Sequence, residues 1–395
     1  MTAQPAVECD VLIVGGGPAG STCAWQLGAS GFDVQVIDQA IFPRHKVCAG
    51  WITPQVVASL ALDLDEYRKG RVLQPISGFR VGICGGNSVT VSYDQPVSFG
   101  IRRCEFDEFL LRRANVPVHE GVSVRSVQRD NHGWLINQQY RSKLLIGAGG
   151  HFCPVAKWLH SQQKDATPAR VVVAQEVEYR LTSRESETCR IQPDMPELYF
   201  YPDLAGYAWC FRKGDYLNLG LGRENERSLG QYRDRFVSWL VATGRLAAPP
   251  NAVFKGHAYR LDSAPRESTF ADGVLLIGDA AGLASRHSGE GIRPAVESSL
   301  IASRVIAEWL EGTGTKSLQG YGAELSRRLG PSAALGQPQH SGFLRPWLAG
   351  PLLSSSWFVR RVVLDRWFLN SRQPALMPPA NGAECRKAVA PADAP

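Results

Sequence analysis

A glycine-rich turn near the amino terminus constrains the fold of this chain more than any other feature. The apolar run Cys9–Val14 predicts a short strand that is buried on both faces, and the turn GGGPAG follows it directly. Pro18 suits the first turn of a helix, where its missing N–H costs no hydrogen bond. A strand, a glycine turn and a helix in this order predict a Rossmann-type α/β unit.

The residues after the turn complete this unit. Small and apolar residues recur at helical spacing until Gly28–Gly31, and the strand Val34–Ile37 then leads to Asp38. This acid lies eighteen residues past Gly20, where a ribose-binding carboxylate belongs. Glycines admit a pyrophosphate and a helix amino terminus offers N–H donors, so we predict a dinucleotide site; a purely structural turn is the alternative. The candidate cofactor-binding residues here are Gly15, Gly17, Pro18, Ala19, Gly20 and Asp38.

A second strand–turn–helix pattern lies near residue 275. Val274–Ile277 predicts a buried strand that ends in Gly278 and Asp279, and a long helix is predicted from about Gly291 to Glu311. With the first turn, this G-D motif resembles the FAD-binding fold of the p-hydroxybenzoate hydroxylase-like superfamily. The resemblance implies that Asp279 binds the ribityl chain of FAD. It also implies that backbone N–H groups of Gly289–Ile292 face the flavin N1–C2=O edge. A plain turn or N-cap aspartate is the alternative.

The segment GIRRCEFDEFLLRRA, residues 100–114, predicts a strand end followed by a helix. Arg103 stands four residues before Asp107, and this spacing is similar to the R-x-x-F-D pattern of the superfamily. The resemblance implies that Arg103 lies near FAD. A solvated Arg102 or Arg103 is the alternative.

The chain departs from the superfamily at a later turn. Ala148-Gly149-Gly150 stands where the superfamily commonly has A-D-G, so the carboxylate is missing. In the superfamily that motif is tied to pyridine-nucleotide and pyrophosphate contacts. The external electron donor is expected to be a ferredoxin-like protein or NADPH, and the departure predicts that NADPH is a poor direct reductant.

The segment FPRHKVCAGWITP, residues 42–54, follows the second strand and mixes positive charge, a thiol and a tryptophan. It resembles the P-R-x-K-x-C-G-G segment of the geranylgeranyl reductase family, with Ala49 in place of one glycine. The resemblance implies that Arg44 faces the FAD pyrophosphate and that Gly50 lets the backbone approach the flavin. It places Cys48 beside the substrate, where its thiol is a candidate catalytic proton donor; a small buried hydrophobic residue is the alternative.

The segment YAWCFRKGDYLNLGLG, residues 207–222, resembles the family's Y-x-W-x-F-P-K motif and its following G-x-G. Arg212 replaces the proline, so the family's substrate is not carried over. On a strand, Tyr207, Trp209 and Phe211 point to one face. They predict an aromatic wall beside a prenyl-like chain, with Tyr207 and Trp209 as candidate catalytic residues; plain sheet core is the alternative. The absence of a W-x-W-x-I-P run argues against a flavin-dependent halogenase.

Composition restricts the partners and the compartment. The 395 residues are 44% hydrophobic and 20% charged, with a formal net charge of +6 and no dense basic block, which predicts no nucleic-acid partner. Nine scattered cysteines without a C-x-x-C pair, and no recognisable secretory leader, predict reduced thiols in the cytoplasm. No apolar run is long enough to span a membrane, and we predict no metal site.

The chain divides into an interleaved α/β domain, a sheet domain and a carboxy-terminal region. The predicted FAD-binding domain comprises residues 1–78, 100–160 and 264–330. The predicted antiparallel substrate-binding sheet comprises residues 79–99 and 161–263. Residues 331–373 predict a helical cap, and residues 374–395, rich in Pro and Ala, predict a disordered tail. Within the cap, Trp357–Leu369 is apolar nearly all round, which predicts a buried cap or an interfacial membrane contact.

The predicted fold is therefore a Rossmann-type FAD-binding domain interleaved with an antiparallel sheet and followed by a helical region. The resemblance implies an FAD-dependent oxidoreductase that reduces C=C bonds of a hydrophobic, isoprenoid-like substrate. Two alternatives remain open at this stage: an FAD-dependent monooxygenase, and a protein that binds FAD without catalysis.

Overall fold

In the computed structural model of the protein, the described residues are 6–162, 171–224, 228–261, 269–271, 273–285, 288–312, 318–330 and 346–378. The first part of the predicted cap, 331–345, and the predicted tail beyond residue 378 lie outside the described residues. The described residues form three sheets with helices packed against them, which confirms the predicted α/β fold class.

The strands and helices are numbered in chain order. The strands are β1 Val7–Val14, β2 Val34–Asp38, β3 Trp51–Ile52, β4 Leu73–Ile76, β5 Gly78–Ile83, β6 Ser88–Ser92, β7 Ser98–Ile101, β8 Val118–Glu120, β9 Val127–Asp130, β10 Gly133–Ile136, β11 Tyr140–Gly147, β12 Val171–Arg180, β13 Glu197–Phe200, β14 Gly206–Lys213, β15 Tyr216–Glu224, β16 Lys255–Arg260, β17 Phe270–Ala271 and β18 Val274–Leu276. The helices are α1 Pro18–Ala29, α2 Pro54–Ser59, α3 Leu64–Arg68, α4 Arg103–Arg113, α5 Pro154–Ser161, α6 Ser183–Thr188, α7 Leu229–Ala242, α8 Ile292–Leu310, α9 Gly320–Leu329, α10 Pro346–Leu353 and α11 Ser356–Phe358. Short 3₁₀ turns span Gly150–Phe152 and Gly278–Ala281, and a π-helical segment spans Val359–Phe368.

The first sheet is built around β1 and is parallel at its centre. Its main path runs β17-β18-β11-β1-β2-β8, with β1 parallel to both β2 and β11. The continuous apolar run Val11–Val14 is buried, as expected for a strand covered by helices on both faces. Helices α1 and α8 pack together against this sheet, so both begin at the same edge of it.

The second sheet has seven strands in the order β16-β12-β15-β14-β13-β5-β6. It was predicted to be antiparallel, but one of its pairs, β13 with β5, is parallel. β5 lies far before β13 in the chain, so a long connection and not a hairpin joins the two strands. One face carries Trp209 and Phe211 toward the carboxy-terminal region. The opposite face packs on α7 through Ala208 and Cys210. Successive side chains of β14 therefore alternate between the two faces of the sheet, as predicted.

The third sheet is small and joins the other two. Its order is β3-β7-β4, and both pairs are antiparallel. It carries the end of the segment that begins at Arg44 and delivers Trp51 to the face of the seven-stranded sheet.

The carboxy-terminal region covers the seven-stranded sheet. We call residues 356–368 the cap helix: α11 continues there into the π-helical segment. Its inward residues are Phe358, Val359, Val363, Leu364 and Phe368, all buried. Trp357 is 70% exposed on the outer side.

The segment after the cap helix does not leave the surface at once. Arg328 donates to the carbonyl of Pro374 at 2.6 Å, and Leu376 packs against two core clusters. The predicted disordered tail therefore does not begin at Pro374, because α9 and the core hold the residues that follow. Among the described residues, no helix combines the length and apolar character needed to cross a membrane.

Candidate functional site

One cavity of about 420 Å³ lies between the parallel sheet, the seven-stranded sheet and α8. We call the part lined by Gly17, Asp38 and Asp279 the glycine end, and the part lined by Trp51 and Tyr207 the aromatic end. The predicted site residues that line the cavity are Gly15, Gly17, Pro18, Ala19, Asp38, Arg44, Cys48, Arg103, Tyr207, Trp209, Asp279, Gly291 and Ile292.

The remaining two predicted residues, Gly20 and Gly278, lie behind the cavity wall. A Cβ on Gly20 would stand 1.8 Å from the carbonyl oxygen of Gly15, so this glycine lets α1 pack against the end of β1. Gly278 has φ +59°, and a Cβ there would stand 3.0 Å from the Ala19 methyl group. Both residues shape the turn, and neither lines the cavity.

The glycine end is formed at the carboxyl edge of the parallel sheet. Helix α1 begins there, and in the part of the chain that the structure describes no side chain caps its first turn. Asp38, at the end of β2, accepts from the Gly16 N–H at 2.7 Å and from the Ala40 N–H at 2.8 Å. The carboxylate is therefore held beside the glycine turn, and the uncapped N–H groups make this corner suited to an anion.

Two arginines stand beside this corner and share one carboxylate. Arg103 donates to Asp107 through Nε and Nη2, both at 2.7 Å, from one turn earlier on α4. Arg44 Nη2 lies 3.0 Å from the same carboxylate, and the Nη1 of Arg44 is buried without a hydrogen-bond partner among the described residues. The guanidinium group lies beside Gly17, its Nη2 3.2 Å from where a Cβ would stand, and its unpartnered Nη1 fits a phosphate ligand.

The second helix that begins at the cavity is α8. Its N-cap is Gly291, where a Cβ would stand 3.0 Å from Asp279 Oδ1, and no described side chain caps its first turn. Asp279 lies in the 3₁₀ turn directly after β18. Burial raises the pKa of the neighbouring Glu290 to about 7. Asp279 and the start of α8 are thus placed together, although twelve residues separate Asp279 from Gly291.

Buried polar side chains hold the loop that carries Cys48 in place. We call Glu176, Glu178, Lys213 and Asn218 the polar platform. Glu176 accepts from the Cys48 N–H at 3.2 Å, and Asn218 donates to the Cys48 carbonyl at 3.0 Å. Cys48 Sγ in turn accepts from the Gly50 N–H at 3.4 Å. The thiol therefore occupies a fixed position on the cavity wall.

Lys213 is the centre of the polar platform. Its Nζ donates to the carbonyls of Ala49 and Ile101, each at 2.9 Å, and to Glu178 at 2.6 Å. A Cβ on Gly50, which has φ +68°, would stand 2.5 Å from that Nζ. Gly50 thus packs against Lys213 and Ile101 and does not line the cavity, although its neighbours Ala49 and Trp51 do, so this packing already requires a glycine and the expected approach to the flavin stays a prediction.

The two carboxyl groups of the polar platform have different environments. Burial raises the pKa of Glu176 to about 7, with Glu178 adding to the rise and Lys213 opposing it. Burial also acts to raise the pKa of Glu178, but its contact with Lys213 outweighs this and lowers the value. Glu176 therefore carries a proton up to near-neutral pH directly behind Cys48, while Glu178 is the anion that balances Lys213.

A lysine–histidine pair lies on the same wall. Lys46 Nζ is hydrogen-bonded to His257 Nε2. Burial lowers the pKa of Lys46 to about 8, and burial together with the Lys46 charge lowers that of His257 to about 3. His257 is thus a neutral acceptor. The sequence motif contained Lys46 but gave no indication of its partner.

The aromatic residues of β14 take different positions. Tyr207 donates its hydroxyl to the Ser288 carbonyl at 2.5 Å, and Trp209 donates its Nε1–H to Asn218 at 2.8 Å. Both rings line the cavity. Phe211 shares their face but lies behind Trp51, with ring centroids 5.9 Å apart. The predicted aromatic wall is therefore built from Tyr207, Trp209 and Trp51.

The polar platform and the role of Trp51 were not predicted from the sequence. The signal for Glu176 and Glu178 was available: two acids two residues apart, in a strand that begins with four apolar residues, lie on the same face. Two buried carboxylates on one face require a nearby cation, and the strand two places along in the sheet supplies Lys213.

Comparisons with known proteins agree with this arrangement. The family described as FAD dependent oxidoreductase matches residues 10–78. The chain is 28% identical over 323 residues to the digeranylgeranylglycerophospholipid reductase of Methanocaldococcus jannaschii, which covers 77% of this chain and 80% of that protein. The predicted resemblance to the geranylgeranyl reductases is thereby confirmed.

Two solved structures share the fold. A geranylgeranyl bacteriochlorophyll reductase-like protein of Thermoplasma acidophilum superposes with a TM-score of 0.70 at 22% identity, covering 89% of this chain and 88% of that one. The flavin-dependent brominase Bmp2 superposes with a TM-score of 0.67 at 19% identity, covering 97% and 98%. At these identities the structures establish the flavoprotein fold and nothing finer.

Proposed function

We propose that this relative of the geranylgeranyl reductases binds FAD in the cavity and reduces a C=C bond of a hydrophobic, isoprenoid-like substrate. The observation that carries the proposal is the convergence of two uncapped helix starts, those of α1 and α8, on one cavity with an aromatic wall. Reduced FAD supplies a hydride when bound.

The residues present fit FAD at four points. The start of α1 and the unpartnered Nη1 of Arg44 suit the pyrophosphate, and Asp38 suits a ribose. Asp279 suits the ribityl chain, since it lies between Gly278 and the start of α8. The start of α8 would stabilise negative charge on the flavin through its free N–H groups.

The aromatic end suits an apolar substrate. The hydroxyl of Tyr207 and the indole N–H of Trp209 are already donated to protein acceptors, so both rings offer the cavity mainly apolar surface. Saturating a C=C bond adds a hydride to one carbon and a proton to the other. Cys48 is positioned to give that proton, and Glu176 behind it has a pKa of about 7.

The electron donor follows from the turn at Ala148-Gly149-Gly150. This turn ends β11 at the glycine end and has no carboxylate of its own. We infer that NADPH reduces the flavin slowly and that a ferredoxin-like protein is the physiological donor.

The outer side of the cap helix suits contact with a membrane surface that holds apolar substrates. Trp357, Arg360, Arg361 and Arg366 are exposed there. A tryptophan among arginines on one side of a helix is typical of an interfacial segment. The inner side stays packed on the sheet, so such a contact would leave the fold unchanged.

Anaerobic photoreduction of the FAD-loaded protein, followed by mixing with polyprenyl and aromatic compounds, tests the proposal. We expect polyprenyl alkenes to reoxidise the flavin without oxygen and to be recovered with the double bond saturated. Hydroxylated product that forms only with oxygen would instead identify a monooxygenase. A flavin that no alkene reoxidises, with or without oxygen-dependent product, would overturn the reductase assignment.

A further inference from the structure

A side chain from the cap helix packs behind the aromatic end of the cavity. Phe368 is 2% exposed and does not itself line the cavity. Its ring stacks on Trp51, with centroids 5.8 Å apart and planes 15° apart, and it meets Tyr207 edge-on at 5.4 Å. Trp51 and Tyr207 do line the cavity, so Phe368 is the layer directly behind the wall.

The wall is supported on its other sides by the seven-stranded sheet. Phe79 and Phe211 pack on Trp51 at 5.3 and 5.9 Å, and both belong to sheet strands. Phe200 packs on both Tyr207 and Phe368, at 5.8 and 6.3 Å. The sheet strands are held by hydrogen-bonded neighbours, whereas Phe368 is presented by the cap helix. Phe368 is therefore the member of the layer whose removal would open space beyond Trp51 and Tyr207.

The cavity is small for what it is proposed to hold. Its volume of about 420 Å³ lies in the lower part of the range of about 300–1,000 Å³ that is typical of a pocket for one small molecule. The same space is lined by the glycine end and the aromatic end together, so it must receive part of the cofactor as well as the substrate. A flavin and the substrate therefore share this space, and Trp51 and Tyr207 bound it on the side of the cap helix.

We propose that Phe368, by supporting Trp51 and Tyr207 from behind, limits the length of apolar chain that the site accepts, so that shorter isoprenoid alkenes bind better than longer ones. This inference rests on the proposed function, since it concerns the substrate of that same site. A longer chain would have to push Trp51 or Tyr207 into the volume that the Phe368 ring fills. Pocket walls of this kind discriminate by size, because each added methylene must displace packed atoms.

The chain offers a matched control. Phe358 is the same residue type in the same cap helix and is likewise buried, 5% exposed. Its ring neighbour is Trp367, at 6.3 Å, which does not line the cavity. Loss of the Phe358 ring therefore removes comparable packing from the cap helix without touching the wall. A Phe368→Leu variant keeps an apolar side chain and serves where Phe368→Ala fails to fold.

The experiment compares wild type, Phe368→Ala, Phe368→Leu and Phe358→Ala, each loaded with FAD. Saturated alcohols with chains of two, three and four isoprene units are titrated while the flavin absorbance is followed, which reports binding without turnover. The photoreduced proteins are then mixed with the matching alkenes, and the rate of anaerobic flavin reoxidation is measured. The first measurement tests whether Phe368 limits the length of the bound chain, and the second tests whether the protein reduces the alkene.

We expect wild type and Phe358→Ala to lose binding on the order of tenfold between two and four units. Phe368→Ala, and Phe368→Leu to a smaller extent, should bind the longer chains nearly as well as the short one. Equal binding of all three lengths by wild type, or the same length profile in both Phe368 variants as in wild type, would overturn the inference. A clear length profile in binding with no reoxidation by any alkene would support the wall and overturn only the proposed reaction.

Discussion

At the glycine end of the cavity the wall is mostly backbone from three loops at one edge of the parallel sheet. At the aromatic end it is side chains from β3 and β14, with the cap helix packed behind them and the polar platform supporting the loop beside them. The position of a wall made of backbone depends on where a strand ends and a helix begins, and residues close in sequence determine this. A wall made of side chains depends on which segments, distant in sequence, pack together.

The difference is visible in the sequence separations. Gly15 and Asp38 are joined by one strand–helix–strand unit, and the hydrogen bond from Gly16 to Asp38 spans 22 residues. At the aromatic end, the hydrogen bond from Asn218 to Cys48 spans 170 residues, and Phe368 reaches Trp51 from the other end of the chain. A substitution in any one of several elements should therefore affect the aromatic end more than the glycine end.

Removing the cation of the polar platform should have the largest effect. Lys213→Met keeps most of the volume but leaves two carbonyls without their donor and removes the buried cation paired with Glu178, so we expect about 3–5 kcal/mol less stability. Urea denaturation of the FAD-loaded protein measures it. Adding Glu178→Gln to that variant should recover part of the loss, because without Lys213 the Glu178 carboxylate keeps only Arg102 and Asn218 as donors among the described residues and its charge is less well balanced. A loss below about 1 kcal/mol would show that the loop does not depend on Lys213.

At the glycine end the comparable test adds a methyl group. Gly20→Ala places a Cβ 1.8 Å from the Gly15 carbonyl oxygen, so α1 must move away from β1; we expect a loss of roughly 3 kcal/mol or more and weak FAD retention. Gly17→Ala is the control, because its added Cβ meets only the flexible end of Arg44, at 3.2 Å. Similar denaturation midpoints for the two variants would show that the turn tolerates a Cβ and that the packing argument is wrong.

These two ends also explain what the sequence could and could not predict. The strand, glycine turn and acid around Gly15 and Asp38 follow from local pattern. The structure puts Asp279 beside the start of α8, and its role on the ribityl chain stays a prediction. The packing of Phe368 behind Trp51 could not be predicted, since no periodicity says which strand face a residue 317 positions away will cover. Gly50 was assigned to the flavin because it belongs to the same motif as Arg44, but the fold packs it against Lys213.

The raised pKa of Glu176 predicts a pH dependence at the aromatic end. A carboxyl group whose pKa rises from 4.5 to about 7 on folding stabilises the fold below pH 4.5 and loses that contribution as the pH rises through 7. At about 1.4 kcal/mol per pKa unit, the loss is at most about 3.5 kcal/mol. Glu176→Gln should therefore flatten the fall in melting temperature between pH 5 and 8, measured with saturating FAD.

Glu290 supplies the control for that measurement, because its pKa is also raised to about 7 by burial but it lies near the start of α8. Glu290→Gln should flatten the same profile independently, and the two effects should add. If Glu176→Gln left the pH profile of the melting temperature unchanged while Glu290→Gln flattened it, Glu176 would not be the group that holds a proton behind Cys48 up to near-neutral pH.

The smallest expected effect concerns Arg44 at the glycine end. Arg44→Ala should weaken FAD binding roughly tenfold, since a charge-assisted hydrogen bond to a phosphate contributes about 1.5 kcal/mol or more. The side chain is 19% exposed, so the difference from wild type should shrink as salt is raised. Arg112→Ala is the control: it removes a 50% exposed arginine of α4 that pairs with Glu120 away from the cavity. Equilibrium dialysis of FAD at low and high salt measures both. Equal affinity of Arg44→Ala and Arg112→Ala at low salt would mean that Arg44 serves only Asp107, and that the glycine end binds its anion through backbone N–H groups alone.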